Sequence, residues 1–250
     1  MSSLFASNRA AVRSALAEFL GCDPTAFETE TLTIVDRREP AMWPYTALAA
    51  TFGTGTVLSV DGSLRAFAET LTPEKHYEAL RPSVLQPIAQ ESRRRGGIAT
   101  ASAPGIGWAL ATVPAAPEVP RGFELRTCDA EWMEAEMGRR RFENGIGLPG
   151  EGGRSFRNRY AVALVDSAGE PAAVAGAFFT YVEPIREIGV DVLRAHRGQG
   201  FANIVVAAAI REILDRGEVP LYGCAASNIR SQRTALSTGF LPAFSDASVS

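Results

Sequence analysis

One stretch of the chain, residues 187–216, constrains the fold more than any other. It reads EIGVDVLRAHRGQGFANIVVAAAIREILDR. Its first six residues alternate between polar or small and apolar side chains, which is the periodicity of a strand. After two glycines, an apolar stripe at i, i+3, i+4 and i+7 spacing predicts a helix, with Gly217 as a cap after its last turn. The stretch therefore predicts a strand, a glycine turn and a helix in succession.

The turn between this strand and this helix suits a diphosphate group. Backbone N–H groups in the first turn of a helix lack intrahelical partners, and the helix dipole makes their surroundings positive. Gly198 and Gly200 let the backbone approach an anion closely, while Arg197 and His196 add positive charge. The spacing R-x-x-G-x-A, completed by Ala202, matches neither a P-loop nor G-x-G-x-x-G. An ordinary strand–helix turn is the alternative interpretation.

The same spacing occurs a second time, at Arg94, Gly97 and Ala99. Here the basic residues stand at the end of a predicted helix, and no strand precedes them. Basic side chains and glycines complement the last carbonyls of a helix. We therefore interpret this second copy as a helix cap, with a basic ligand-binding or partner-binding patch as the alternative.

Composition excludes several classes of protein. The chain has 250 residues, of which 46% are hydrophobic and 21% charged, and this suits one large or two ordinary globular domains. A formal net charge of −3 gives no reason to expect nucleic acid as a partner. Three widely spaced cysteines form neither a disulfide framework nor a zinc pattern, and no stretch predicts a signal peptide or a membrane span. We expect a cytoplasmic protein without a metal site.

A proline-rich segment, residues 114–120, predicts a stiff linker between two domains, 1–118 and 119–250. The first half predicts helices over 4–20, 61–69, from Pro73 and over 84–95, and strands over 32–35, 45–52, 56–60 and 107–113. The second half predicts strands over 123–126, 160–165, 172–181, 187–192, 221–225 and 243–249. It also predicts two helices that end near Arg141 and Arg216, a third helix over 228–237, and a loop over 144–154. Both halves are therefore expected to be α/β.

The second half resembles the GNAT superfamily of acyl-CoA-dependent N-acetyltransferases. Its R-x-x-G-x-A turn resembles the coenzyme A pyrophosphate loop of that family, and Asn228, Ser231 and Gly239-Phe240 resemble the family's N-x-x-S/A … G-F segment. The order of predicted elements from residue 123 onward is also the family's order. The resemblance covers residues 121–250. It implies a mixed α/β sheet of the GNAT fold, preceded by an additional N-terminal α/β domain that is either an acceptor-side domain or a degenerate GNAT-like half.

The resemblance implies acetyl-CoA as the acyl donor, without a metal ion. It places the donor in a gap between the strand ending at Val192 and the strand starting at Leu221. The residues that it implies for donor binding are Val190, Asp191, Val192, Arg197, Gly198, Gln199, Gly200, Phe201, Ala202, Asn228, Ser231 and Arg233. A backbone N–H near Val190 would polarise the thioester carbonyl.

Attack of an amine on a thioester also needs a group that accepts a proton. Glu187 and Asp191 lie on one face of the predicted strand, about 13 Å apart at roughly 3.3 Å per residue, so they cannot share one proton. We prefer Glu187, which is nearer the position where the resembled family often carries an acidic base; a solvated carboxylate is the alternative. The family's tyrosine acid is replaced here by Ala235. Tyr222 or water would then protonate the leaving thiolate.

We expect an N-acetyltransferase that passes an acetyl group from acetyl-CoA to a small-molecule amine or a peptide by direct attack. The alternative is a non-catalytic acyl-CoA-binding sensor or scaffold, which the replaced tyrosine keeps open. Only ten residues follow Phe240, so we expect a single closing strand whose edge is covered by the N-terminal half or by a partner chain. Acceptor identity, acyl-chain preference and a homodimer are left open.

Overall fold

The computed structural model describes residues 2–38, 45–147, 160–180 and 182–250. The chain divides into two compact units that interleave along the sequence. The C-terminal unit consists of Met1–Asn8, Ala109–Gly223 and Arg230–Leu241, and the N-terminal unit consists of Arg9–Trp108, Cys224–Ile229 and Pro242–Ser250. The last residues of the chain therefore belong to the N-terminal unit.

Helices and strands are interspersed along the chain. The helices are α1 (Ser3–Leu20), α2 (Arg65–Glu69), α3 (Pro82–Arg94), α4 (Ala130–Met137), α5 (Glu143–Ile146), α6 (Phe201–Asp215) and α7 (Ile229–Ser237). The strands are β1 (Leu32–Asp36), β2 (Ala47–Thr51), β3 (Thr56–Val60), β4 (Gly105–Leu110), β5 (Phe123–Cys128), β6 (Tyr160–Asp166), β7 (Pro171–Phe179), β8 (Ile185–Val192), β9 (Val219–Ala225) and β10 (Phe240–Val249). The predicted α/β class, with a mixed sheet, is confirmed.

The N-terminal unit is built on strands β1, β3, β2 and the end of β10, in that order. β1 runs parallel to β3, β3 runs antiparallel to β2, and β2 runs antiparallel to Ser245–Val249. Buried side chains of β2, β3, α2, α3 and β10 form one hydrophobic cluster, to which Leu58, Leu85, Ile88 and Val249 belong. The closing strand is thus part of this unit's core.

The C-terminal unit contains strands β5, β6, β7, β8 and β9 in that order. The first four pair antiparallel, and β8 pairs parallel with β9. A parallel pair needs a crossover connection, which α6 supplies, with its buried face turned to β6, β7 and β8. The predicted cap follows α6: Gly217 has φ 73°, and the Glu218 N–H donates to the Ile213 carbonyl at 3.0 Å.

Several predicted boundaries are wrong. The chain is not helical at Pro73, and the next helical turn is the 3-10 segment His76–Leu80. Helix α4 ends at Met137 because Gly138 caps it and Arg140 adopts a left-handed φ of 51°. The predicted loop over 144–154 begins inside α5, and its residues 148–154 lie outside the described part of the chain. β10 begins at Phe240, three residues earlier than predicted.

Within the described residues, no helix combines the length and the apolar composition needed to cross a bilayer.

Candidate active site

Strands β8 and β9 separate part of the way along their length. Ile185–Ile188 pair with Val219–Tyr222, whereas β8 itself continues to Val192. Where two strands separate, backbone N–H and C=O groups face the gap and need hydrogen-bond partners. An extended ligand that carries amide groups can bind there as an additional strand. The gap expected between these two strands therefore opens just beyond Ile188.

The turn after β8 presents a row of backbone donors. Gly198 and Gly200 have left-handed φ angles of 80° and 79°, and Gly200 is the N-cap residue of α6. The first N–H that bonds back into the turn belongs to Asn203, which donates to the Gly200 carbonyl at 3.0 Å. Within the described residues, no backbone carbonyl accepts a hydrogen bond from the N–H groups of Gly198, Gln199, Gly200, Phe201 and Ala202. Consecutive donors at a helix N-terminus fit a diphosphate group.

The side chains of this turn mainly hold it in place. Arg197 Nε donates to the Val192 carbonyl at 3.2 Å and so ties the turn to the end of β8. The His196 ring stacks on Phe201, with 5.7 Å between centroids and 16° between planes, and meets Phe123 edge-on at 5.8 Å. His196 is therefore engaged in aromatic packing, and backbone donors are the main feature of the turn.

Glu187 lies where the two strands begin to separate. Its side chain leans from β8 across to β9, and its carboxylate occupies the space above Gly223. A Cβ atom at position 223 would overlap Oε1 of Glu187 and would stand 3.2 Å from its Cδ. The preferred proton acceptor is thus half-buried beside the gap.

Asp191 is engaged by helix α5. Its Oδ2 accepts hydrogen bonds from the backbone N–H groups of Asn144 at 2.7 Å and Gly145 at 3.0 Å, and its Oδ1 accepts one from the Asn144 side-chain amide at 2.9 Å. A Cβ atom at Gly189 would overlap the Asn144 carbonyl oxygen, and one at Gly176 would overlap that of Gly145. Helix α5 therefore rests backbone-to-backbone on β7 and β8, and Asp191 fixes its N-terminus.

Tyr222 lies on the other face of β9. Successive side chains of a strand point to opposite faces, so Tyr222 points away from the face on which Glu187 lies above Gly223. Tyr222 is 1% exposed, and its hydroxyl oxygen is 2.9 Å from Oγ of Ser231 on α7. Ala235, at the position of the family's tyrosine, is fully buried. The structure therefore brings two of the predicted site residues, Tyr222 and Ser231, into one hydroxyl pair.

A buried ion pair fixes the start of β8. Arg186 is 4% exposed and its Nε donates to Glu218 at 2.7 Å, while the Tyr160 hydroxyl donates to the same carboxylate at 2.6 Å. Burial raises the pKa of Tyr160, and the bond to Glu218 raises it further. Burial alone would raise the pKa of Glu218, but hydrogen bonds from Arg186 and Tyr160 bring it below its usual value. The ionised carboxylate holds Arg186, the residue directly before Glu187.

The remaining predicted residues are placed as follows. Val190 and Val192 are half-buried on β8, and Arg233 is exposed on α7. Asn228 belongs to the N-terminal unit, where its N–H donates to the Ala225 carbonyl at 2.9 Å. Their binding roles stay predictions. In the ranges 2–38, 45–147, 160–180 and 182–250, no cluster of three or more His, Cys, Asp or Glu side chains could hold a metal ion.

Sequence reasoning missed two features of the site. One is the space above Gly223, and the other is the seat of α5 on Gly176 and Gly189. A signal for both was present, because a glycine inside a strand pattern often marks the close approach of another group. The sequence alone could not say which group approaches.

Part of this chain is similar to a known family. A family model described as GNAT acetyltransferase matches residues 152–244. A GCN5-related N-acetyltransferase from Kribbella flavida is 15% identical, with 100% of this chain and 95% of that chain covered and a TM-score of 0.52. A Drosophila protein is 16% identical, with 98% and 88% covered and a TM-score of 0.52. At such identities the similarity shows the fold alone.

Other solved structures match a smaller part of this chain. A GNAT-family acetyltransferase from Colwellia psychrerythraea is 16% identical, with 60% of this chain and 56% of that chain covered and a TM-score of 0.45. The chain spans 56% to 66% of the length of three such matched proteins. No protein with a curated description matches the chain.

Proposed function

We propose that the protein transfers an acetyl group from acetyl-CoA to an amine, and the match of residues 152–244 to a family model described as GNAT acetyltransferase supports this. The observation that carries the proposal is the row of backbone donors from Gly198 to Ala202, at the end of the strand that borders the gap. A diphosphate and an extended amide-bearing arm are the two parts of coenzyme A that such an arrangement would hold.

Donor binding would use mainly backbone groups. The N–H groups from Gly198 to Ala202 would hold the diphosphate, since the Arg197 N–H already donates to the Arg194 carbonyl. The β8 backbone at Val190 and Val192 would pair with the amides of the pantetheine arm. Asp191 would take part through its backbone only, because its side chain holds α5. The side chains of Asn228, Ser231 and Arg233 would line the rest of the donor.

When bound, acetyl-CoA supplies an acyl group as a thioester whose carbonyl carbon the amine attacks. Glu187 would accept the proton that the amine loses, directly or through a water molecule. Glu187 is preferred to Asp191 because its carboxylate lies over Gly223 at the opening of the gap, whereas the Asp191 carboxylate holds α5. A backbone N–H near Val190 would stabilise the negative charge on the carbonyl oxygen.

The hydroxyl pair of Tyr222 and Ser231 would supply the proton that the leaving CoA thiolate takes up. Tyr222 is the last β9 residue paired with β8 and shares a hydrogen bond with Ser231, so a proton that Tyr222 donates can be replaced through Ser231. This pair would take the role of the tyrosine that Ala235 replaces. The acceptor would be a small-molecule amine or a peptide, and nucleic acid is not expected. A cytoplasmic setting is part of the proposal, because Cys22, Cys128 and Cys224 form no disulfide with one another.

The first test is thermal unfolding with acetyl-CoA on the wild type, Ala202→Glu and Ala202→Gln. A ligand at about 100 times its Kd stabilises the folded state by about 2.7 kcal/mol. A glutamate in the first turn of α6 interacts favourably with the helix dipole, so Ala202→Glu should fold. Its carboxylate would nevertheless repel the diphosphate. We expect acetyl-CoA to stabilise the wild type and Ala202→Gln, and Ala202→Glu to lose this stabilisation.

The outcomes distinguish an acetyltransferase from a non-catalytic acyl-CoA-binding protein. If acetyl-CoA leaves the wild-type melting temperature unchanged, the donor site is absent and the enzyme hypothesis fails with it. If acetyl-CoA stabilises the wild type but no amine is acetylated across a broad panel, the protein is an acyl-CoA-binding sensor or scaffold.

A further inference from the structure

Gly223 lies directly beneath the carboxylate of Glu187. A Cβ atom at position 223 would overlap Oε1 of Glu187 and would approach its Cδ to 3.2 Å. Gly223 does not adopt a left-handed φ angle, so its backbone conformation does not demand glycine. The space that glycine leaves at this position is filled by the end of the Glu187 side chain.

Other strand glycines of this unit have a different explanation. Above Gly176 and Gly189 lie backbone carbonyl oxygens of α5, so glycine is needed there for the packing of an element. Above Gly223 lies the end of a flexible side chain. Glycine inside a strand is itself unfavourable relative to alanine, which leaves the placement of Glu187 as the reason for glycine at 223.

Gly223 also lies at a defined point of β9, where its pairing with β8 ends. It follows Tyr222, the last β9 residue paired with β8, so it is the first residue beyond the paired segment. A carboxylate held over Gly223 is therefore held beside the opening of the gap. A larger residue would push the carboxylate away from β9 without changing the backbone on either strand.

We infer that Gly223 is a positioning residue of the acetyl transfer, which holds the Glu187 carboxylate in its proton-accepting position. The inference rests on the proposed function. Gly223 itself touches no reacting atom, and it acts by leaving room for the group that does. Substitution should therefore affect turnover and not donor binding.

The test compares the wild type, Gly223→Ala, Glu187→Gln and the double variant, with Gly138→Ala as the control. A Cβ atom at Gly138 meets its nearest neighbour, the Ala135 carbonyl oxygen, at an ordinary 3.7 Å. Activity is measured as CoA release from acetyl-CoA with spermidine, kanamycin or a short peptide with a free N-terminus. Acetyl-CoA-induced stabilisation and crystal structures of the wild type and Gly223→Ala give readouts that do not depend on turnover.

We expect Gly223→Ala and Glu187→Gln each to lower kcat by about a hundredfold, which is the lower range for loss of a general base. The KM for acetyl-CoA and the acetyl-CoA-induced rise in melting temperature should stay at wild-type values. The double variant should be no slower than Glu187→Gln, because alanine at 223 acts only through the carboxylate. The crystal structure of Gly223→Ala should show the carboxylate displaced and the β8 and β9 backbones unchanged.

Three results would overturn the role of Gly223 and leave the proposed function intact. They are a wild-type kcat for Gly223→Ala, a crystal structure with the Glu187 carboxylate in its original place, and a Gly223→Ala protein that does not fold, since the backbone would then be what gives way. A wild type that binds acetyl-CoA but acetylates none of the three acceptors would overturn both proposals together.

Discussion

At the scale of single residues, a second carboxylate resembles Glu187 in its surroundings. Asp246 of the N-terminal unit lies over Gly105, where a Cβ atom would overlap Oδ1 of Asp246. Burial raises the pKa of this carboxyl to about 6, because a charged carboxylate is poorly solvated there. The residue-scale consequence is a dependence of stability on pH.

The sign of that dependence follows from proton binding. In the unfolded chain an aspartate has a pKa of about 3.9, so between about pH 4 and pH 6 the folded protein holds the Asp246 proton more tightly. The contribution of this residue to the free energy of unfolding therefore falls as the pH rises through this range. Two pKa units at about 1.4 kcal/mol each set an upper bound of about 3 kcal/mol.

We expect Asp246→Asn to lose this pH dependence, because asparagine does not titrate. Above pH 6 the variant should be more stable than the wild type by up to about 3 kcal/mol. Urea unfolding from pH 4 to pH 8 measures the effect, with Asp215→Asn, at an exposed aspartate, as the control. Parallel stability curves for the wild type and Asp246→Asn would contradict the buried state of this carboxyl.

At the scale of elements, α5 is a helix that its own sequence does not explain. It has four residues, ENGI, and isolated helices of this length are unstable in water. Three contacts hold it in place: Asp191 at its N-terminus and the close backbone seats on Gly189 and Gly176. The element exists because β7 and β8 leave room for its backbone at Gly176 and Gly189, and because Ile146 is buried in one cluster with Val174 of β7.

We expect the loss of either kind of contact to release α5. Asp191→Ala leaves two N–H groups without their acceptor, and a lost hydrogen bond to a charged group costs about 1.5–3 kcal/mol. Gly189→Ala forces its Cβ atom onto the Asn144 carbonyl oxygen, and such overpacking costs about 1–3 kcal/mol. Urea unfolding gives the stabilities, and hydrogen exchange at Asn144 and Gly145 should speed up in both variants.

The matched control is Gly138→Ala, which introduces the same methyl group where there is room for it. Exchange rates at Asn144 and Gly145 that stay at wild-type values in Asp191→Ala and Gly189→Ala would show that α5 is held by other contacts.

At the scale of the whole molecule, the two units interleave along the chain. Residues Pro242–Ser250 belong to the N-terminal unit. There Ser245–Val249 pairs with β2, and Ala247 and Val249 are buried in the cluster that also contains residues of α3. The N-terminal half thus supplies the partner for the edge of the closing strand, one of the two options expected from the sequence. A cut near residue 118 would separate β10 from its partner.

We expect a fragment of residues 119–250 to aggregate. Without β2, the segment Ser245–Val249 presents unpaired backbone groups and apolar side chains to solvent, which favours association between chains. Size-exclusion chromatography measures the outcome. The control is a fragment of residues 119–241, which lacks that segment and should aggregate less, and co-expression with residues 1–118 should restore a soluble complex. A monomeric 119–250 fragment with the wild-type melting temperature would contradict the prediction.

Much of the fold was predictable from local patterns. The strand, turn and helix over residues 187–216 are set by side-chain periodicity and by glycines with left-handed φ angles, which act within a few residues. The two copies of R-x-x-G-x-A could also be told apart by their neighbours. In the structure the glycines end α3 as expected of a helix cap: Gly96 has a left-handed φ of 90°, and the Gly97 N–H donates to the Ser92 carbonyl at 3.0 Å.

What the sequence determined by itself was thus the strand, glycine turn and helix of residues 187–216, and two carboxylates as candidate proton acceptors. Only the tertiary structure decided that Asp191 holds α5, that Glu187 lies over Gly223 and that the last strand joins β2. The physical reason is that these contacts join segments far apart in the chain. Periodicity and turn chemistry report what a residue does to its near neighbours, whereas the free space above a glycine depends on which distant segment folds against it.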